Sequence, residues 1–182
     1  AQAGIVVEYP SGRVLFEKNA HQRMPEASTT KMMTALLVLQ RARLDDSVTI
    51  LEEDQVGEST MGLVPGETQT VQDLLYGLLL PSGNDAAMAL ARHVGESLAE
   101  PADAKPVERF VALMNRTAQQ MGLADTHFVN PHGFDDPDHY TSPYDLASIT
   151  WYALHDPEFN KIVSTTFWEA PGHPLKNTNE ML

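Results

Sequence analysis

"PEASTTKMMTALLVLQ", residues 25–40, decides how the rest of the chain is read. It sets Ser28, Thr29, Thr30 and Lys31 ahead of a run with hardly a polar atom. Ser28 and Lys31 are three residues apart, a spacing that stacks side chains on one helix face. Met32, Met33, Leu36, Leu37, Val38 and Leu39 leave almost no polar face, which predicts a central, buried helix from Ser28 to about Leu44. On one reading Ser28 is the N-cap of a structural helix. On the other it is a nucleophile: its hydroxyl lies near the backbone N–H groups and positive end of a helix, which suits a developing oxyanion. A lysine one turn on, pressed among apolar neighbours, loses hydration, and its pKa falls toward that of a usable base. S-x-x-K alone is too common to choose between them.

Working outward, "GIVVEYPSGRVLFEKN" (residues 4–19) reads as two strands joined by a turn at Pro10, Ser11 and Gly12. Residues 45–69 are loop-rich, with Gly57, Gly62, Pro65 and Gly66 marking turns. "TVQDLLYGLLL" opens on a capping pattern, Thr70 with Asp73, and its helix stops at Pro81. A second helix follows from Asn84 to a stop at Gly95, so "PSG" is an exposed corner between helices. Further helices are expected from Pro106 to Met121 and from Ser142, the N-cap, with Pro143 at the first helical position. From Ile162 onward the composition is strand-like and turn-like. There is no internal repeat.

Length and composition fit one soluble globular domain, or most of one: 182 residues, 42% hydrophobic and 20% charged. No stretch approaches the roughly 18 apolar residues of a membrane span. A basic segment leading into an apolar one is missing at the start, so a signal peptide is expected to be removed already or never to have existed. Acidic residues outnumber basic ones 25 to 12, a net charge of −13 that argues against a nucleic-acid partner. With no cysteine, thiol catalysis, disulfides and zinc–thiolate sites are excluded.

Ser82-Gly83-Asn84 would be unremarkable as a loop. Its value comes from following a buried helix headed by S-x-x-K. With both in place the chain resembles the serine-type D-alanyl-D-alanine carboxypeptidases, the low-molecular-mass penicillin-binding proteins. "ASTTKMMTALLVL" resembles that family's first motif block and "LLLPSGNDAAMALA" its second. "FVALMNRTAQQMGLADTHFVNPHGFD" with "YTSPYDLA" resembles the stretch after them, and "NTNEML" the approach to a third motif. The resemblance implies an α+β fold: a β-lactamase/transpeptidase-like three-layer sandwich with an antiparallel sheet, the Ser28 helix in its middle, and a mostly helical subdomain carrying the Ser82 corner. It implies Ser28 as the acylated nucleophile and Lys31 as its base. Ser82 would relay protons to the leaving amine, and Asn84 would bind the substrate amide and steady Lys31. The implied reaction removes the terminal D-alanine of peptidoglycan pentapeptide stems through an acyl-enzyme, and penicillins acylate the same serine. No cofactor and no metal is implied, and the location is outside the cytoplasmic membrane.

The family's K-[TS]-G motif is missing: none of Lys18, Lys31, Lys105, Lys161 and Lys176 is followed by Thr-Gly or Ser-Gly. Residues 1–182 are therefore expected to be the front portion of one catalytic domain, its sheet incomplete, with K-T-G on a complementing C-terminal segment. The family's membrane-anchoring helix is also not in this chain. A serine β-lactamase is the nearest rival, disfavoured by S-G-N in place of S-D-N and by the lack of an E-x-x-x-N block. A non-catalytic module that holds cell-wall peptide is the rival from another class. The cluster His127, His132, His139, Asp135, Asp136 and Asp138 reads as a polar loop more readily than as a metal site. The methionines read as core filler and surface scatter.

Overall fold

The computed structural model describes residues 1–179; the last three residues of "NTNEML", Met181 among them, lie outside that range. The chain opens with an antiparallel hairpin, β1 (Gly4–Val7) against β2 (Val14–Lys18), with Gly4 opposite Lys18 and Val6 opposite Phe16. A 3-10 turn, Ala27–Thr30, leads into α1 (Lys31–Arg41). Ser28 is thus not the N-cap of the α-helix but sits inside the tighter turn before it, which ends in Lys31. The helix also stops earlier than Leu44, because Ala42 is already extended.

Periodicity placed α1 correctly in the middle of the molecule. Met33, Ala35, Leu36, Leu37 and Val38 are buried, and the helix packs against α2 (Val71–Leu79), α3 (Asn84–Glu96) and α5 (Pro143–Ala153). Burying an aliphatic side chain of this size is worth roughly 1.5–3 kcal/mol, so this stripe pins α1 against three neighbours at once. Thr70 Oγ1 accepts the Asp73 N–H at 3.0 Å, and Ser142 Oγ accepts that of Asp145 at 3.2 Å, so α2 and α5 begin at their expected caps. α4 (Pro106–Gln120) closes over α3. The loop-rich stretch 45–69 contains β3 (Ser47–Thr49), which pairs with β4 (Thr68–Thr70). A short helix, α6 (Pro157–Val163), precedes a last hairpin, β5 (Phe167–Ala170) with β6 (His173–Lys176). Helices and short antiparallel pairs make this an α+β chain, and each sheet among the described residues has two strands.

The first hairpin is tied down on one side only. Trp151 Nε1 donates to Tyr9 O at 2.8 Å and the Tyr9 hydroxyl to Leu154 O at 3.0 Å, fixing it to α5. Every residue of β2 is exposed, Leu15 at 55% and Phe16 at 58%, so both of its faces are open. Between β1, α1 and α5 lies a cavity of about 700 Å³ lined by Ile5, Val7, Leu36, Tyr144 and Trp151.

Candidate active site

The ammonium at the mouth of the apolar helix is fully engaged. Lys31 is 2% exposed, and its Nζ lies 3.0 Å from Ser28 Oγ, 2.7 Å from Asn84 Oδ1 and 2.8 Å from His132 O. An ammonium has three protons, and these three acceptors take all of them. Burial pushes the Lys31 pKa down to about 8, with the charge of Asp85 resisting.

The geometry indicates where a lost proton leaves the amine. Asn84 cannot turn its amide around, because Nδ2 donates to Gly57 O at 3.0 Å, and His132 O is a carbonyl that only accepts. Two protons of Nζ are therefore committed, and a neutral amine directs its lone pair at Ser28. The bond then reverses, with the serine hydroxyl donating to nitrogen, which is the arrangement a general base needs. Ser28 itself is exposed, so its oxygen is open to a substrate.

Each partner is held by a different part of the chain. Asn84 begins α3, and its backbone N–H donates to Ser59 O at 2.8 Å. Before it, Gly83 is packed so closely that a Cβ would stand 2.8 Å from Gly77 O and 2.9 Å from Asp85 Oδ1. Asp85, buried, accepts the N–H groups of Met61, Gly62 and Leu63 at 2.8–3.0 Å and so straps the 57–63 loop against the corner. The carbonyl of His132 is supplied by a loop folded around Asn130, whose Oδ1 accepts the N–H groups of Gly133 at 2.6 Å and Phe134 at 3.2 Å. Thr34 on α1 donates to Pro131 O at 2.7 Å and ties that loop to the helix. Gly133, at φ 97°, lies against the Ser28 turn, where a Cβ would come within 1.9 Å of Ala27 O. Ala27 itself is left-handed at φ 47°, a conformation costly for alanine. Burial and the nearby Lys31 charge hold the His132 ring down at about 4, hence neutral.

Three of the four residues singled out in the sequence, Ser28, Lys31 and Asn84, meet at one point. Ser82 stands at the same corner at φ 63°, half-buried, but among the described residues its hydroxyl makes no hydrogen bond to Ser28, Lys31 or any other group. Sequence reasoning missed Asp85 and the carbonyl of His132; a carbonyl leaves no trace in residue type, and Asp85 next to Asn84 looks like ordinary first-turn acid. The histidines scatter to separate tasks. His127 Nδ1 bonds to Asp138 O at 2.6 Å, His132 faces Lys31 through its backbone, and His139 is buried beneath the Ser28 turn. Among the described residues they do not converge into a group that could hold a metal.

Comparisons with known proteins converge on one family. A family profile described as D-alanyl-D-alanine carboxypeptidase matches residues 1–182. The D-alanyl-D-alanine carboxypeptidase DacF of Bacillus subtilis is 34% identical over all of this chain and 47% of its own length. The DacD protein of Salmonella typhimurium, of the same description, is 36% identical over all of this chain and 48% of its own. The chain thus spans about half the length of the curated relatives it matches. Among solved structures, a point mutant of the Streptomyces K15 DD-transpeptidase superposes with a TM-score of 0.90 at 34% identity, covering all of this chain and 75% of that one. Penicillin-binding protein 6B from Escherichia coli superposes at 0.85 with 34% identity, over 99% of this chain and 59% of its own.

Proposed function

The chain belongs to the D-alanyl-D-alanine carboxypeptidase family, and from that premise we propose that it is the nucleophile-bearing part of a serine carboxypeptidase that trims peptidoglycan stem peptides. The observation that carries the reading is the three-way bonding of Lys31 to Ser28, Asn84 and His132. Ser28 Oγ attacks the carbonyl of the penultimate D-alanine while its proton passes to Lys31 Nζ. The new Oγ–C bond displaces the C–N bond to the terminal D-alanine, and the departing amine takes a proton back through Ser82. Water then cleaves the ester and releases the shortened peptide. Asn84 binds the substrate amide and keeps Lys31 aimed. A β-lactam presents a strained amide to the same oxygen and acylates it.

Each step is proton transfer and acyl transfer among side chains, so the mechanism calls on no cofactor and no metal. Stem peptide outside the cytoplasmic membrane is the substrate, which places the protein on the cell-wall side. No helix among the described residues is long and apolar enough to cross a membrane. Residues 1–182 are the front portion of one catalytic domain, and a C-terminal segment carrying K-T-G completes the site and grips the substrate carboxylate. Three observations support that extent: relatives of about twice the length, both faces of β2 open, and the cavity between β1, α1 and α5.

The test is acylation by a chromogenic cephalosporin and release of D-alanine from a stem pentapeptide, measured on the full-length protein. A stoichiometric burst with D-alanine release is expected. Fast steady-state turnover of the cephalosporin would instead mark a β-lactamase, and neither burst nor release would mark a binding module.

A further inference from the structure

Beneath the Ser28 turn lies a buried acid that the reaction above does not use. Glu26 is the residue from which the 3-10 turn starts, and its side chain is wholly shielded from solvent. His139 reaches it from the loop before α5, with Nε2 3.1 Å from Glu26 Oε1 and 2.8 Å from Thr30 Oγ1. The other ring nitrogen, Nδ1, accepts the Val129 N–H at 2.9 Å, which puts the proton of a neutral ring on Nε2. Thr30 donates its own hydroxyl proton to Ala27 O at 2.8 Å and so receives the Nε2–H. A chain of bonds therefore runs from Val129 through His139 and Thr30 to Ala27, the strained residue just before Ser28. Although Oε1 is within reach of Nε2, the shorter contact to Thr30 takes the proton, and neither carboxyl oxygen has a well-formed hydrogen bond.

A bare carboxylate in that position has nothing to offset its desolvation. Burial pushes the Glu26 pKa up to about 8 and lowers that of His139. Near pH 7 the two therefore face each other uncharged. Other ionisable groups facing the pair are Asp135, Asp136 and His127 from the same loop as His139, and His132 from the side of the nucleophile, with the Lys31 charge on its far side.

We propose that Glu26 and His139 are positioning residues for the Ser28–Lys31 pair: with Glu26 protonated, the imidazole N–H secures Thr30 and the nucleophile turn, and once Glu26 ionises it draws that N–H to itself and releases the turn. Ionisation also sets a negative charge beneath an oxygen that gains negative character as its proton leaves for Lys31. The inference depends on the functional reading above only for its kinetic consequence. Lys31 must lose a proton to act, so acylation rises toward alkaline pH; Glu26 ionising over the same range turns the profile down again.

Two measurements on the full-length protein test this. The first is the acylation rate with a fluorescent penicillin from about pH 6 to about pH 9.5, with thermal unfolding recorded for every variant. Glu26→Gln keeps the shape of a protonated acid and cannot ionise; its profile should lack the falling limb and exceed the unsubstituted rate about threefold at the alkaline end. His139→Phe, which removes the N–H but keeps a ring, should lose about tenfold on the acid side of the Glu26 midpoint and progressively less above it, where the unsubstituted protein has itself released the turn. His139→Gln, which restores a donor, should recover most of that loss. Should His139→Phe fail to fold, the Glu26→Gln profile still decides. The second measurement is an NMR titration of the Glu26 carboxyl carbon, expected to show a midpoint well above the ordinary carboxylate range. Coincident profiles for Glu26→Gln and the unsubstituted protein, or a Glu26 carboxyl that titrates like an exposed one, would overturn the proposal. Absence of acylation in the unsubstituted protein defeats the functional reading instead, and the titration then judges the pair alone.

Discussion

The turn at Ala27–Lys31 and the hairpin at Gly4–Lys18 follow one another in the chain and are held in opposite ways. Around the turn, each polar group of Thr30 and Lys31 has a partner from a distant stretch: Asn84 from α3, His132 from the 130–134 loop, His139 from the loop before α5. The strain at Ala27 persists because the surroundings over-determine it. The hairpin has its own ladder and a single neighbouring helix, α5, met by the half-buried β1 and by the Tyr9 and Trp151 bonds. A two-stranded ribbon is marginal by itself and offers an open edge. The difference teaches that the candidate site is assembled by loops from distant parts of the chain converging on one amine, whereas the hairpin rests on its own ladder and one neighbouring helix.

The contrast can be broken at its strong end first. If Lys31 works by accepting a proton, Lys31→Arg, which stays charged, should lose acylation as completely as Lys31→Ala, by roughly 10²–10⁴-fold. Retention of near-normal rates by the arginine variant, followed with fluorescent penicillin, would reduce the role to positive charge alone. Next comes the contact between loop and turn. Gly133→Ala forces a methyl against Ala27 O at a left-handed position and should cost about 1–3 kcal/mol in denaturant unfolding, with acylation falling alongside. Loss of acylation at unchanged stability would mean that the loop shapes the site without bracing the fold. The weakest effect belongs to the hairpin. Phe16→Ser removes an exposed ring and should change the stability of residues 1–182 by no more than about 0.5 kcal/mol. In the full-length protein the same change should cost clearly more, because a completing segment would cover that ring; equal effects in both would count against a shared sheet.

Much of this architecture was legible in residue order. An unbroken apolar stripe marked α1, and Thr70, Ser142, Pro81 and Pro143 marked where helices begin or stop, because capping chemistry is local. β3 and β4 were not, since Ser-Val-Thr and Thr-Gln-Thr are three residues each, too short for a period of two to stand out from a loop. α6 did carry a signal in Asp156 followed by Pro157, whose carboxylate caps the helix, and it went unread beside the strand-like stretch that follows. Within the site, Ser28, Lys31 and Asn84, which the structure brings together, could be singled out in the sequence because the roles proposed for them are side-chain chemistries. The 3-10 turn, the left-handed Ala27 and the carbonyl of His132 are backbone facts that residue type does not encode. The pairing of Glu26 with His139 joins residues far apart in the chain, which a single sequence does not connect.

The central claim is that Ser28 is the oxygen Lys31 deprotonates. It is tested most directly by labelling the full-length protein with a β-lactam, digesting it and locating the adduct by mass spectrometry. The account predicts one equivalent of acyl group, on the peptide containing Ser28, with labelling abolished in Ser28→Ala. An adduct on another residue, or undiminished labelling of Ser28→Ala, would contradict it.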